Sequence, residues 1–363
     1  MTSIRSLRST IVSVPVAHRI VSSVRDTAQV INVLVELDTD DGLTGVAYVA
    51  GFTRHKAHAT CYLLQELGEA IAGLPAEDIT AVWDRMWSVL TLAGHAGLPV
   101  FALSAIDIAL WDLRGKRAEA PLYQLLGGVR HNRLEAYASD GCWLSSDIAS
   151  VVEDAEMFAA RGFSGLKLRF GRSDPDDDLA VLRAVRRAVG EGVRIMVDVN
   201  QGWTPLCARE YGSALADYGV RWLEEPLPAE EIAGLAALRR DLPLEIAAGE
   251  SAYLPAGLEA LVSAGAVSVM MPDLQRAGGV TGWLQAREIA DAAGVLLSPH
   301  LFPEINVHLL AMCAAPGPLE WVSWAEPLLE EPLCVKAGSV TPPDRPGLGI
   351  TFDRAAMRGM QLD

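Results

Sequence analysis

Asp198, Glu224 and Glu250 each close a short apolar run and stand 26 residues apart. Asp273 and His300 carry the same beat onward, at intervals of 23 and 27. Carboxylates brought to one place repel one another, and a divalent cation removes that repulsion. A donor set made only of oxygen suits Mg2+ or Mn2+ rather than a softer ion. His300 adds a side chain that titrates near neutrality, where a proton can be both taken and returned.

The spacing also says what must position these groups. Each interval has room for a strand, a loop, a helix and a second loop, which is one β/α unit. A parallel sheet is covered on both faces, so its strands read as apolar runs. A charge inside such a run is costly. At the C-terminal lip of a closed barrel it faces a mouth shared by all the strands. Eight strand candidates fit: 134–139, 165–170, 194–200, 221–226, 245–249, 267–272, 295–298 and 320–323. Apolar residues at helical spacing fill most gaps, at 146–161, 178–189, 205–218, 229–239, 255–264, 280–293 and 304–315. The expected fold is α/β, a modified (β/α)8 TIM-type barrel over residues 129–340.

Residues 1–128 read as a separate α+β capping domain, strands first and helices after. The run 4–14 is β-rich, 29–37 alternates, and Asp40-Asp41-Gly42 marks a hairpin turn before 44–49. Helical spacing follows at 56–71, 79–90 and 102–117. Two segments, 15–28 and 51–56, are left as loops, and long loops in compact domains are often functional. The turn-rich tail, 341–363, is expected to pack back on the capping domain.

With 363 residues, half of them apolar and 21% charged, the chain can bury a large core. A formal charge of −16 argues against nucleic acid and anionic membrane as partners. The five cysteines are odd in number and scattered, which reads as reduced thiols in a cytoplasmic protein. Neither a signal peptide nor a membrane helix is expected.

The ordered motifs carry a resemblance that spans nearly the whole chain. They are Ala105-Ile106-Asp107-Ile108-Ala109-Leu110-Trp111-Asp112 with Gly115-Lys116, Leu125-Leu126-Gly127-Gly128, Lys167-Leu168-Arg169 and Val197-Asp198-Val199-Asn200. Trp222-Leu223-Glu224-Glu225-Pro226, Gly249-Glu250, Pro272-Asp273 with Gly278-Gly279, and Ser298-Pro299-His300-Leu301-Phe302 complete the series. Together they resemble the enolase superfamily, in its mandelate racemase-like branch. The resemblance implies a Mg2+-dependent enzyme that removes the proton α to a carboxylate through a metal-stabilised enediolate. Homo-oligomers are usual in that family.

By the resemblance, Asp198, Glu224 and Glu250 hold the metal, and Glu225, of opposite strand parity, points away. His300 and Asp273 form a general-base dyad. Glu320 donates a hydrogen bond to the developing enediolate, which requires burial to keep it protonated. Ser139 and Asn200 match positions that contact substrate. A rival pattern, His300, Glu304 and His308 at helical spacing, has the look of zinc ligands. It is not HExxH, and His300 precedes the helix, so Glu304 and His308 are read as ordinary helix residues.

One departure bears on the reaction. In mandelate racemase the Lys-x-Lys motif ends in a second basic lysine, and here Arg169 stands instead. Arginine holds its proton too firmly for base duty. Lys167 and Arg169 are read as cations for the substrate carboxylate, with His300 as the base. One base suits dehydration of an acid sugar to a 2-keto-3-deoxy acid. The cap loops agree: they carry Arg25 and Arg54 as substrate-binding candidates, beside His18, Arg19, His55 and Lys56. Racemisation or epimerisation of a 2-hydroxy acid, with Lys167 as second base, is the alternative. A non-catalytic barrel that binds a small anion is a remote third. Each reading takes a small carboxylate as partner.

Overall fold

The computed structural model describes residues 2–362. It opens with a three-stranded antiparallel sheet, β1 (Ile4–Val21), β2 (Asp26–Thr39) and β3 (Thr44–Ala50), in that order. Helices α1 (Arg54–Ile71), α2 (Ile79–Leu90), α3 (Leu98–Arg117) and the single turn α4 (Leu122–Leu125) follow. Residues 100–110 of α3 are buried without a break, so the helix must be covered on every side. It packs on β3, α1 and α2, and against a barrel helix.

The barrel strands are β4 (Leu134–Ala138), β5 (Gly165–Arg169), β6 (Arg194–Asp198), β7 (Val220–Glu224), β8 (Glu245–Ala248), β9 (Val269–Met270), β10 (Leu296–Leu297) and β11 (Leu319–Trp321). They pair in parallel in the order β10-β9-β8-β7-β6-β5-β4-β11. A parallel bridge from Leu297 to Pro316, with Gly317 N donating to Leu297 O at 2.9 Å, closes the cylinder.

Helices α5 (Ile148–Ala160), α6 (Pro175–Val189), α7 (Pro205–Ala216), α8 (Ile232–Asp241), α9 (Leu254–Ser263), α10 (Gly279–Ala293) and α11 (Pro303–Ala311) separate successive strands. Their ends carry local signals. Asp174 caps α6 ahead of Pro175, acids fill its first turn, and Arg186 and Arg187 occupy its last. After β11 a 3-10 turn, Glu326–Leu328, stands where an eighth helix would, which is the modification of the barrel.

Tyr137, Met196, Trp222, Ala247, Val269 and Met271 fill the barrel interior as a cluster of their own. Met196 and Trp222 lie two residues before Asp198 and Glu224, so each acid shares the inward face and sits one layer above this apolar floor.

Two expectations need correction. The segment 15–28 is not a long loop: β1 runs on to Val21 and pairs with β2, with a register shift between Pro15 and Ile20. Proline lacks the N–H that regular pairing requires there. Only 22–25 turn, and Arg19 is paired to Asp26 across the hairpin. The second loop is likewise short, since Thr53 caps α1 and Arg54, His55 and Lys56 lie in its first turn.

The tail returns to the first domain. Ser13 N donates to Met360 O at 2.7 Å, Leu362 N donates to Ile11 O at 3.0 Å, and Arg354 pairs with Glu36. A last strand, β12 (Ser339–Val340), pairs with β4, and α12 (Arg354–Met357) follows. All five cysteines are free thiols. Among the described residues no helix is long and apolar enough to cross a membrane.

Candidate active site

The strand ends gather the expected groups. Lys167 and Arg169 share the inward face of β5, Asp198 closes β6, Glu224 closes β7, and Glu250 follows β8. Asp273 and His300 form a parallel bridge, with His300 N donating to Pro272 O at 3.1 Å. Glu320 is the central residue of β11.

Lys167 is the hub. Its Nζ lies 2.6 Å from Glu320, 2.8 Å from Glu224 and 3.4 Å from Asp198, and the side chain is buried. Burial alone would lower its proton affinity, but Glu224 and Glu320 raise it well above that of an ordinary lysine. The three carboxylates thus favour the ammonium form of Lys167. Arg169 donates to Ser139 O at 3.0 Å and Ser139 Oγ at 2.9 Å, lies 3.6 Å from Asp198, and sits 4.5 Å over the Trp143 ring.

Glu320 differs from expectation. It is buried, as expected, and burial pushes its pKa up. Lys167 and His300 outweigh that and hold it well below the carboxylate range. Ser139 Oγ donates to it at 2.7 Å and Leu301 N at 2.8 Å. Here Glu320 is an anion that accepts, not an acid that donates.

His300 also differs in detail. Its Nδ1 lies 3.1 Å from both Glu250 and Glu320, and Asp273 is instead engaged by Arg276, through N at 2.9 Å and Nη1 at 3.1 Å. The backbones of the dyad meet, but the ring has turned to the nearer negative charge. Burial lowers the ring's pKa, and the pull of Glu250 and Glu320 overrides it, to about 9.

The donors fit a small divalent cation. Glu224, Glu250 and His300 each bring one ligand atom within 4.8 Å of the others. Glu250 Oε2 is buried with no hydrogen bond. Burial pushes Glu224 up to about 8 and raises Glu250 as well, even with Lys167 beside the first and His300 beside the second. Asp198 stands outside the tightest group, because Asn200 folds back on it at φ 45° and donates from N at 2.8 Å and Nδ2 at 3.1 Å.

A cavity of about 540 Å³ opens over these groups. Lys167, Arg169, Asp198, Asn200, Glu250, Asp273, His300 and Glu320 line it from the barrel, and Arg25 and Arg54 from the cap. Ser139 does not line it. That residue is spent bridging Arg169 to Glu320. Glu225 points into a different pocket and accepts from Gln201 at 3.0 Å. The zinc-like trio is not assembled: His308 is buried against Leu348 O, and Glu304 accepts from Tyr48.

Arg276, Trp143 and Trp324 also line the cavity and were not picked out from sequence. Arg276 carried a signal, a base three residues after Asp273 in a tight turn. The tryptophans carried a fainter one, each lying four residues beyond a strand-end group, Ser139 or Glu320.

Residues 6–127 match the mandelate racemase/muconate lactonizing enzyme N-terminal domain, and residues 150–356 match the enolase C-terminal domain-like family. The chain belongs to the enolase superfamily, in its mandelate racemase/muconate lactonizing enzyme group. Within that superfamily it is 31% identical to the 3,6-anhydro-alpha-L-galactonate cycloisomerase of Streptomyces coelicolor, over 96% of this chain and 97% of that one. It is 33% identical to the L-talarate/galactarate dehydratase of Salmonella typhimurium, over 91% and 82%. The crystal structure of an enolase from alpha proteobacterium BAL199 with bound magnesium superposes with a TM-score of 0.96, 33% identity and full coverage of both chains.

Proposed function

We propose that the protein removes the proton α to the carboxylate of an acid sugar and expels the β-hydroxyl as water, yielding a 2-keto-3-deoxy acid. Lys167 carries this reading. Its Nζ lies within 3.4 Å of three carboxylates, which favours the protonated form and supports a binding role over a base role. Arg169 cannot act as a base either. His300 is then the base we assign among the groups that line the cavity, and a single base serves elimination but not inversion.

In this reading Lys167 and Arg169 draw the substrate carboxylate to the mouth. His300 turns Nδ1 to Glu250 and Glu320, which leaves Nε2 to take the α-proton. The electrons of the C–H bond form the Cα–Cβ double bond, and the Cβ–O bond breaks. The histidinium returns its proton to the departing hydroxyl, so water leaves, and the enol tautomerises to the ketone. Glu320 keeps Lys167 and His300 in register. Asp198, Glu224 and Glu250 are the proposed holders of Mg2+, which when bound would supply positive charge for the substrate carboxylate and offset the pull of Glu250 on His300. The magnesium in a near structural relative and the dehydratase and cycloisomerase names of the curated relatives support the assignment.

The test is product analysis after incubation with Mg2+ and a panel of sugar acids. New 3-deoxy methylene signals in the proton spectrum are expected. Inversion at the α-carbon without loss of water would overturn the proposal in favour of racemisation.

A further inference from the structure

Arg25 is a half-buried cation on the cavity wall with no negative partner. Burial alone shifts its pKa, and the shift is downward. Asp26, next in the chain, and Asp140, on the tryptophan over which the guanidinium lies, are committed elsewhere. Asp26 is held by Arg19 at 2.5 and 2.9 Å. Asp140 accepts from Trp324 Nε1 at 3.0 Å and Ser323 N at 3.1 Å. Among the described residues no carboxylate lies within ion-pair distance of Arg25. A desolvated guanidinium without counter-charge is costly unless a ligand supplies one.

The aromatic wall relates this cation to the reaction centre. The Arg169 guanidinium lies 4.5 Å over Trp143, Trp143 stacks on Trp324 at 6.3 Å, and the Arg25 guanidinium lies 5.5 Å over Trp324. The two tryptophans therefore separate a cation beside Lys167 from a cation at the cap. Each ring face polarises toward its own arginine and orients it. The hairpin tip that carries Arg25 is docked, since Ser23 Oγ donates to Val199 O at 2.8 Å. A Cβ at Gly171 or Gly202 would lie 2.3 or 2.7 Å from that hydroxyl, so both glycines keep the seat open.

We propose that Arg25 clamps a second anionic terminus of the substrate, so that the preferred substrates are aldaric acids rather than aldonic ones. The inference rests on the acid-sugar reading above and names the class of acid. Carboxylate one is held by Lys167 and Arg169, the carbon chain runs along the Trp143–Trp324 wall, and the far carboxylate meets the Arg25 fork. A guanidinium binds a carboxylate in bidentate fashion, which gives direction as well as charge.

The experiment uses calorimetry on the full chain with Mg2+, in a His300→Asn background so that binding is read without turnover. Hexaric acids and hexonic acids of matching configuration are titrated in pairs. The diacid is expected to bind roughly tenfold to a hundredfold more tightly. Arg25→Gln should remove most of that preference, and Arg25→Lys should keep part of it. Equal affinity within every pair, no binding by either member, or a preference intact in Arg25→Gln overturns the clamp. Exchange of α-protons in D2O with His300 present separates the two proposals. Diacids that bind but never exchange leave the clamp standing and sink the reaction. Exchange together with equal affinities for the pair does the reverse.

Discussion

The cap meets the barrel along a seam formed by β3 and α3 and again at the hairpin tip around Ser23. Along the seam, alternate residues of β3 each make a polar tie. Val46 N donates to Asp112 of α3 at 2.8 Å and fixes the strand within the cap, while Tyr48 and Ala50 reach across to the barrel: Tyr48 donates to Glu304, and Ala50 N donates to Gln275 Oε1 at 2.8 Å. From α3, Ser104 donates to Gln275 O at 2.8 Å, and Asp107 accepts from Thr281 N at 3.0 Å and Oγ1 at 2.5 Å. These bonds hold the segments that carry Asp273, Arg276 and His300. The tip is held by the Ser23 hydroxyl at Val199 O and Phe170 O, by Leu144 N donating to Val21 O at 3.1 Å, and by a small apolar cluster of Ile20, Val30 and Trp143. The groups proposed to do chemistry are thus fixed by interlocked polar bonds. The cation proposed to choose the substrate sits on a hairpin tip with fewer ties, where residues can change without disturbing the proposed base.

The comparison can be broken from the chemical end first. Lys167→Met leaves Glu224, Glu320 and Asp198 buried without their cation, and about 3–5 kcal/mol of stability should be lost. Urea unfolding with chelator present reads the loss, and Mg2+ should restore part of it by binding the acids in the folded state. A metal-independent loss would count against these acids as a cation site.

The seam contains a titrating group, Glu304. A glutamate ordinarily titrates near 4.5, and burial pushes Glu304 up to about 7 in the folded chain. Between those values the folded state binds more protons than the unfolded one. Its contribution to stability therefore falls as pH rises through that window and is level above it. Relative to Glu304→Gln, the wild type should lose about 3 kcal/mol between the two limits. Parallel stability–pH curves for the two proteins would show that Glu304 is not desolvated.

Asp107→Ala cuts the seam at one point and leaves the half-buried Thr281 N without its acceptor, while the Thr281 hydroxyl keeps only Trp111 Nε1 as partner. A cost of about 1–3 kcal/mol is expected, with kcat falling because the 273–276 turn loosens. At the tip, Ser23→Ala should cost no more than about 1 kcal/mol, appearing in KM while kcat holds. An equal fall in kcat for Ser23→Ala and Asp107→Ala would erase the distinction between seam and tip.

The barrel was legible in the sequence because its period is a packing constraint. A parallel strand must be apolar on both faces, so Asp198 and Glu224 stand out as the residues where each run meets the mouth. The seam was legible only as motifs: Asp107 and Asp112 belong to the run that carries the family resemblance, and their work as caps for α10 and the tail shows only in the structure. What strand parity cannot convey is how charges share partners. Glu320 was expected to be neutral because it is buried, but burial and partner choice are separate matters, and Lys167 at 2.6 Å decides it. The same holds for His300, where two carboxylates compete with Asp273. The hairpin 15–28 was misread because Pro15 and a run of polar residues look like a loop, although a bulged strand pair tolerates both.

The central claim is that His300 takes the α-proton of an acid sugar in a cation-dependent site. The direct measurement is wash-in of solvent deuterium at the α-carbon and into the product, in D2O with Mg2+, for wild type, His300→Asn, and wild type with chelator. Deuterium uptake by the wild type alone, with a loss of about 10²-fold or more in His300→Asn, is the predicted result. Uptake that survives the loss of His300, or that ignores removal of the cation, would contradict the account.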